Sequence, residues 1–282
     1  MKLVNIFSLL LILLGHSLSL ANDKEINKEN QWPPVPETPV VAHRGFSFVA
    51  PENTLTAIRE AIRCGAQGCE FDLYTTTDGK VFLFHDSNLK RTTGLDRPTK
   101  EIAWDELNQL DFGAWKGEQF KGEKAATLDE ALKLLKGTNC RPVIEIKQDG
   151  FIDKVVDAVE ENDLVETAVI IDFSSSRVKQ VREANPNICV AWLCSFKEEQ
   201  TTEEIAQIII ETLKKCDTNV VDMQYSKVSP ELLKILQDAG IHVWCWTVDD
   251  PKDIQKLVEM GVESITTNRP NLVLDALKAN EE

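Results

Sequence analysis

Short apolar runs alternate along this chain with stretches in which hydrophobic residues recur every three to four positions. The runs VVAH (40–43), CEFDLY (69–74), PVIEIK (142–147), AVIID (168–172), ICVAWL (188–193), NVVDM (219–223), HVWCWTV (242–248) and ESITT (263–267) read as eight strands. Between them, TLTAIREAIRCG, TLDEALKLLKG, IDKVVDAVEEN, SSRVKQVREANP, TEEIAQIIIETLKKC, SPELLKILQDAG and PKDIQKLVEMG carry helical periodicity, several closed by Gly or Asn just past the last periodic residue. Eight strand-then-helix units in residues 40–282 predict an α/β fold of the closed (β/α)8 TIM-barrel type. An open doubly wound sheet lacks its signature, because neither G-x-G-x-x-G nor a Walker A loop occurs.

Two places break the rhythm. In TTTDGKVFLFHD, Asp78-Gly79 separates two apolar-rich runs and reads as a hairpin turn. A two-residue loop there would set His85 directly across from Asp72. Residues 87–126 show no strong period and hold Trp104 and Trp115, which suggests a small insertion above the barrel.

The start of the chain changes the picture. MKLVNIFSLLLILLGHSLSLAND has one Lys, an apolar centre and small residues at Ser19 and Ala21, the pattern of an export signal over residues 1–21. A retained membrane anchor is the rival reading, disfavoured by the weak positive flank. Residues 22–39 are polar and then Pro-rich, as expected of an exposed lead-in, and no later segment is long and apolar enough to span a bilayer. The expected location is therefore periplasmic or secreted, with no stable membrane span after cleavage.

The formal net charge is −15, and the signal would remove only Lys2. A field of that sign repels nucleic acid and anionic membrane surfaces. Seven cysteines, none spaced C-x-x-C, give no support to zinc ribbons or thioredoxin-like chemistry, and an odd count leaves at least one thiol unpaired within the chain. Cys69 and Cys245 fall on outward-facing strand positions, the register of buried structural thiols.

The chemistry concentrates at strand ends. Glu70 and Asp72 are two apart on one strand and share a face, and Glu145 and Lys147 repeat the pattern on the third. His43 and Arg44 end the first strand. Singly, each pair is as well explained by a salt-bridged barrel interior. Together, three carboxylates, Lys147, Arg44, His43 and His85 fall at the C-terminal face, where such barrels carry their sites. Carboxylates without Cys offer hard oxygen donors, suiting one Ca2+ or Mg2+ on Glu70, Asp72 and Glu145. Arg44 and Lys147 remain to hold an oxyanion, and His43 and His85 to carry protons near neutral pH. Glu52 and Asn53 either support Arg44 or the ligand, or cap their loop. Trp246 shares a face with Trp244 and could wall the pocket as a substrate contact. His242, at the start of a strand, reads as structural.

HRG followed by PENT, then GCEFDLYTTTDGKVFLFHD, LKRTTG, LDFGAWKGEQFKGEKAATLDEAL, VIEIK, WTVDD and TTNRP, resemble the glycerophosphodiester phosphodiesterase family from about Val41 to Pro270. The resemblance implies a TIM barrel, a divalent metal on Glu70, Asp72 and Glu145, catalytic His43 and His85, and phosphate contacts from Arg44 and Lys147. Asp249 stands where the family often has Asn, Asn268 where Asp is frequent, and Asp172 where Ser often precedes Phe. These departures bear on substrate preference. The expected reaction is hydrolysis of a small-molecule glycerophosphodiester to an alcohol and glycerol 3-phosphate, by water or through a cyclic phosphate. A lysophospholipase D-like activity is the alternative, and an exported solute-binding protein fits less well. Sequence leaves the oligomeric state open.

Overall fold

The computed structural model describes residues 32–281. The export-signal reading and the first part of the lead-in lie outside the described residues. Nine strands occur: β1 (Val40–Ala42), β2 (Gly68–Thr75), β3 (Val81–Leu83), β4 (Arg141–Ile146), β5 (Val169–Asp172), β6 (Cys189–Cys194), β7 (Val220–Gln224), β8 (His242–Trp246) and β9 (Ser264–Thr267). All but β3 pair in parallel, and β1 closes the ring by bonding both β2 and β9. This is the predicted (β/α)8 barrel, with each of the eight sequence runs supplying one strand.

Strand parity divides the core. Inward positions such as Val41, Val143, Val169, Ile171 and Trp244 fill the barrel. Outward positions such as Phe71, Leu73, Ile144, Cys69 and Cys245 pack under the helices. Each large side chain so buried contributes about 1.5–3 kcal/mol, which offsets the ordering of short strands that would not hold alone. Helix starts are locally encoded: Thr127 and Thr201 each form a capping box with the Glu three residues on.

The hairpin differs from its expected register. Leu73 pairs with Leu83 and Tyr74 with Phe82, while the Thr76 N–H donates to the Lys80 carbonyl at 3.0 Å. The loop is thus three residues, Thr77 to Gly79, closed by Gly79 in the left-handed region at φ 84°. That extra loop residue shifts the ladder by one. Phe84, whose N–H donates to the Asp72 carbonyl at 2.9 Å, takes the place expected for His85. His85 instead follows the strand and leaves the ladder. Beyond it the insertion packs Leu89, Ile102 and Phe112 onto Tyr74, Phe82 and Phe84 of the hairpin in a small separate core.

The lead-in is less exposed than its composition suggests. Pro36 and Thr38 are buried, and Val35 packs against the barrel's inner cluster. Ser264 Oγ donates to the Thr38 carbonyl and Trp32 Nε1 to Asp217. Val35 and the buried Pro36 therefore close the end of the barrel opposite the site. Among the described residues no helix is long and apolar enough to cross a membrane.

Candidate active site

The first strand ends in a sharp turn. Arg44 and Gly45 both adopt left-handed backbone, at φ 54° and 77°. A Cβ on Gly45 would sit 2.6 Å from the backbone of Ala57, so only glycine allows the loop to fold down onto the following helix. The turn aims the Arg44 N–H at Glu70 Oε2, 2.7 Å away. Asn53, also left-handed at φ 56°, donates to Asp72 Oδ2 at 2.8 Å and accepts the Asp72 N–H at 3.1 Å. Asn53 therefore clamps Asp72 rather than merely capping its loop.

Register then assembles the carboxylates. Asp72 lies beside Glu145 across the β2–β4 ladder, with Glu70 one inward position earlier. Oxygens from all three fall within 4.8 Å of one another, and the residues are only 2%, 0% and 9% exposed. Burial, then Asp72 and Glu145, pushes the Glu70 acid well above its usual range. Burial and Asp72 raise Glu145 to about 8. Asp72 also pays for its burial, but Arg44 and Lys147 outweigh that and hold its acid below the ordinary value. Lys147 Nζ sits 2.7 Å from Glu145 Oε1 and 3.5 Å from Asp72 Oδ1. Glu70 Oε1 and Asp72 Oδ1 are buried with no hydrogen-bond partner. Converging hard oxygens with unmet lone pairs suit a divalent cation of the Ca2+ or Mg2+ type.

The histidines approach from two sides. His43 Nδ1 is 2.8 Å from Asn268 Oδ1, and its Nε2 is 3.9 Å from Glu70 Oε2. Because the Asn268 amide nitrogen donates to Asp249, Asn268 Oδ1 must accept, which places the His43 proton on Nδ1 and leaves Nε2 bare. Burial first, and Arg44 second, lower the His43 pKa to about 4. His85 Nδ1 is held by Asp86 Oδ1 at 2.7 Å. Arg91 binds both Asp86 and Glu52, and Glu52 in turn binds Arg44 at 2.8 Å. Glu52 is thus a support for Arg44.

One pocket is lined by His43, Arg44, Glu70, His85, Glu145 and Lys147 on one side and by Trp246, Phe173 and Asp222 on the other. Asp72 lies fully buried among them. Every site residue expected from sequence comes together there. Trp246 donates from Nε1 to the Asp222 carbonyl at 3.0 Å and meets Phe173 edge-on at 5.4 Å. Trp244 is buried inside the barrel instead. His242, at the far end, bonds Glu263 at 2.6 Å, as a structural residue would.

Sequence reasoning passed over Asp222, Arg91 and Asp86. Asp222 had a signal, an acid at an inward position of an otherwise apolar strand. Arg91 sits in the aperiodic insertion and Asp86 immediately before it, where spacing says nothing about partners.

Fold and site together define a barrel enzyme that handles a phosphorylated or similarly anionic substrate. Residues 43–272 match the Glycerophosphoryl diester phosphodiesterase family, and the chain belongs to that family. It is 28% identical over 249 residues to a glycerophosphodiester phosphodiesterase of Caldanaerobacter subterraneus, covering 86% of this chain and 98% of that one. It is also 28% identical to glycerophosphodiester phosphodiesterase 1 of Bos taurus, over 74% of this chain and 71% of that one. A solved Oleispira antarctica phosphodiesterase in complex with the product sn-glycerol-3-phosphate superposes with a TM-score of 0.75 at 26% identity, covering 85% of this chain and 96% of that one.

Proposed function

We propose that this protein is a divalent-metal-dependent hydrolase of glycerophosphodiesters, releasing an alcohol and glycerol 3-phosphate. The observation that carries this reading is the single pocket in which the carboxylate triad, two cationic side chains and two imidazoles converge. The names of its relatives and the product bound to the Oleispira protein support the substrate class. Glu70, Asp72 and Glu145 would hold the cation, which when bound supplies Lewis-acid neutralisation of charge on the phosphoryl oxygens.

The chain's own groups account for the remaining chemistry. Arg44, steadied by Glu52, and Lys147 bind the non-bridging oxygens and stabilise the charge that builds on them. His43, kept neutral by burial, takes a proton at Nε2 from the attacking water. A new P–O bond forms to that oxygen, and the P–O bond to the alcohol breaks. His85, oriented by Asp86, gives a proton to the departing oxygen. His43 then releases its proton to solvent and His85 takes one up, which resets the site. The signal-like residues at the start of the chain support export as the setting.

The test is release of glycerol 3-phosphate from a panel of glycerophosphodiesters, measured with EDTA and after adding back Mg2+ or Ca2+. No release under any metal condition would sink the reading. A lysophospholipase D-like activity draws its own support from Phe48, Val49, Trp115 and Phe173, apolar side chains left exposed on loops of the site's face. Turnover of lysophosphatidylcholine above that of glycerophosphocholine would favour it.

A further inference from the structure

Asp222 stands on the inward face of β7, in register with Leu193 of β6 and Trp244 of β8. It lines the same pocket as the two histidines. Its side chain is 1% exposed, and neither carboxyl oxygen has a hydrogen-bond partner among the described residues. No cation pairs with it there. A buried acid without any partner is costly to retain, and native proteins meet such groups with a ligand or an ordered water.

The pocket has two chemically distinct walls. In the closed ring, β7 lies diametrically across from β2. The wall of β1, β2 and β4 carries Arg44, Glu70, Glu145 and Lys147, whereas Asp222 sits among Ile171, Leu193, Trp246 and Thr266. A phosphodiester whose phosphate lies on the charged wall places an uncharged end against the neutral one. Burial alone raises the Asp222 acid to about 8, so near neutral pH it is largely the carboxylic acid. In that form it can donate one hydrogen bond and accept others, as neighbouring hydroxyls require. An ammonium would need the carboxylate instead. The enclosed floor also suits the part of the substrate that is constant, while head groups of differing size face the open mouth.

We propose that Asp222 is a specificity residue that hydrogen-bonds the hydroxyls of the substrate's glycerol moiety, with Trp246 packed on its carbon face. This rests on the glycerophosphodiesterase reading and extends it to a residue on the wall opposite the acid–base and phosphate groups. A site built to bond hydroxyls discriminates strongly against analogues lacking them, because its own polar atoms are then left unmet.

The experiment uses the full chain with a divalent cation present. Wild type, Asp222→Asn and Asp222→Leu are assayed on glycerophosphocholine, on the methyl diester of glycerol 3-phosphate, and on ethylphosphocholine, which lacks the glycerol hydroxyls. Binding of glycerol 3-phosphate and of ethyl phosphate is measured by calorimetry in parallel. Asp222→Leu should lower kcat/KM on both glycerol diesters by about 10- to 100-fold, the loss expected for an unmet buried hydrogen-bonding pair. Asp222→Asn should keep more, and ethylphosphocholine turnover should change by no more than about twofold. The thermal midpoint of Asp222→Leu should equal or exceed that of wild type, since an unpaired buried acid is removed. If the leucine variant does not fold, the asparagine variant's split between substrates decides. Equal losses on all three diesters, or a loss that follows the choline group, would overturn the assignment. So would wild-type protein that binds glycerol 3-phosphate no more tightly than ethyl phosphate. Asp222-dependent binding of glycerol 3-phosphate without turnover of any glycerol diester would uphold the assignment and overturn the hydrolase reading.

Discussion

Asn268 Oδ1 lies 2.8 Å from His43 Nδ1, while the amide nitrogen of Asn268 is held by Asp249 Oδ2 at 2.5 Å. Asp249 Oδ1 also accepts the Asn268 N–H at 2.8 Å. Of the three positions read as departures from the family resemblance, Asp249 and Asn268 therefore form one hydrogen-bonded pair, with amide and carboxylate exchanged relative to that pattern. The exchange keeps the pair intact but sets a neutral amide, not a carboxylate, against the imidazole. Asn268→Asp alone would face carboxylate to carboxylate and should cost about 1–3 kcal/mol of stability by leaving a polar contact unmet. Adding Asp249→Asn should recover most of that loss. In the double variant the carboxylate beside Nδ1 favours imidazolium, so the His43 pKa should rise from its present value of about 4. An NMR titration of His43 unchanged in the double variant would show that Asn268 does not set its protonation.

Metal binding should be coupled to protons. Glu70 and Glu145 have acids raised in the folded protein, Glu145 to about 8. A carboxyl raised on folding weakens the metal-free fold as pH climbs from the ordinary carboxylate range toward that value, because the unfolded chain gives up its proton first. A bound cation would reverse this by replacing the protons. Chelation should abolish turnover, and Mg2+ or Ca2+ at about 100 times its dissociation constant should add about 2.7 kcal/mol of stability. The cation's affinity should weaken as pH falls below 8, and Glu145→Gln should weaken it at every pH. Melting curves across pH, with and without cation after EDTA treatment, measure all of this. Full activity in protein shown metal-free by elemental analysis would refute the coupling.

The barrel was legible in the sequence because buried parallel strands appear as short apolar runs, and because parity alone assigns Glu70, Asp72 and Glu145 to the inside. The hairpin register was not. Asp78-Gly79 fits a two-residue turn by composition, yet Gly79 closes a three-residue loop, and only the backbone geometry of Thr76 and Lys80 distinguishes them. The supports around the site were partly hidden for another reason. Glu52 was readable as one possible support for Arg44, but Arg91 and Asp86, which complete that network, lie in and next to the insertion, where no period constrains which side chains touch. Asn53 was readable as part of a motif, but its two bonds to Asp72 required the left-handed turn that places it.

The thiols should be chemically quiet. None is in a disulfide, and only Cys64 is partly accessible while the other six are buried. Burial pushes the Cys189 thiol to about 12, far from the thiolate needed for reaction. Alkylation of the native protein should therefore modify Cys64 first and the rest only on unfolding. Non-reducing mass spectrometry that finds three disulfides would contradict this reading.

His43 and His85 should behave as one unit. Each alanine substitution should lower kcat by roughly 10²–10⁴-fold, the usual range for a positioned acid–base group, with the fold retained. The double variant should be little worse than the poorer single one, because acid and base serve the same turnover. Circular dichroism controls for folding. A folded His85→Ala with wild-type turnover and both limbs of its pH profile would reduce His85 to a residue that merely follows the hairpin.

Arg91 ties the two halves of that machinery together. Its guanidinium reaches Glu52, which steadies Arg44, and Asp86, which orients His85. It touches none of the pocket's reacting atoms, so its effect must pass through those carboxylates. Arg91→Met should raise KM by loosening Arg44 and lower kcat by freeing His85, by about 10-fold in total, in keeping with the sensitivity of positioned groups to small displacements. Arg44→Lys should instead act mainly on KM, since a lysine cannot reproduce the guanidinium's planar contacts. Combining Arg91→Met with His85→Ala separates the two routes. If Arg91 acts on kcat through His85, the added substitution should leave kcat where His85→Ala alone puts it and change only KM. A further fall in kcat in that combination would mean that Arg91 acts on the reaction by a path that bypasses His85.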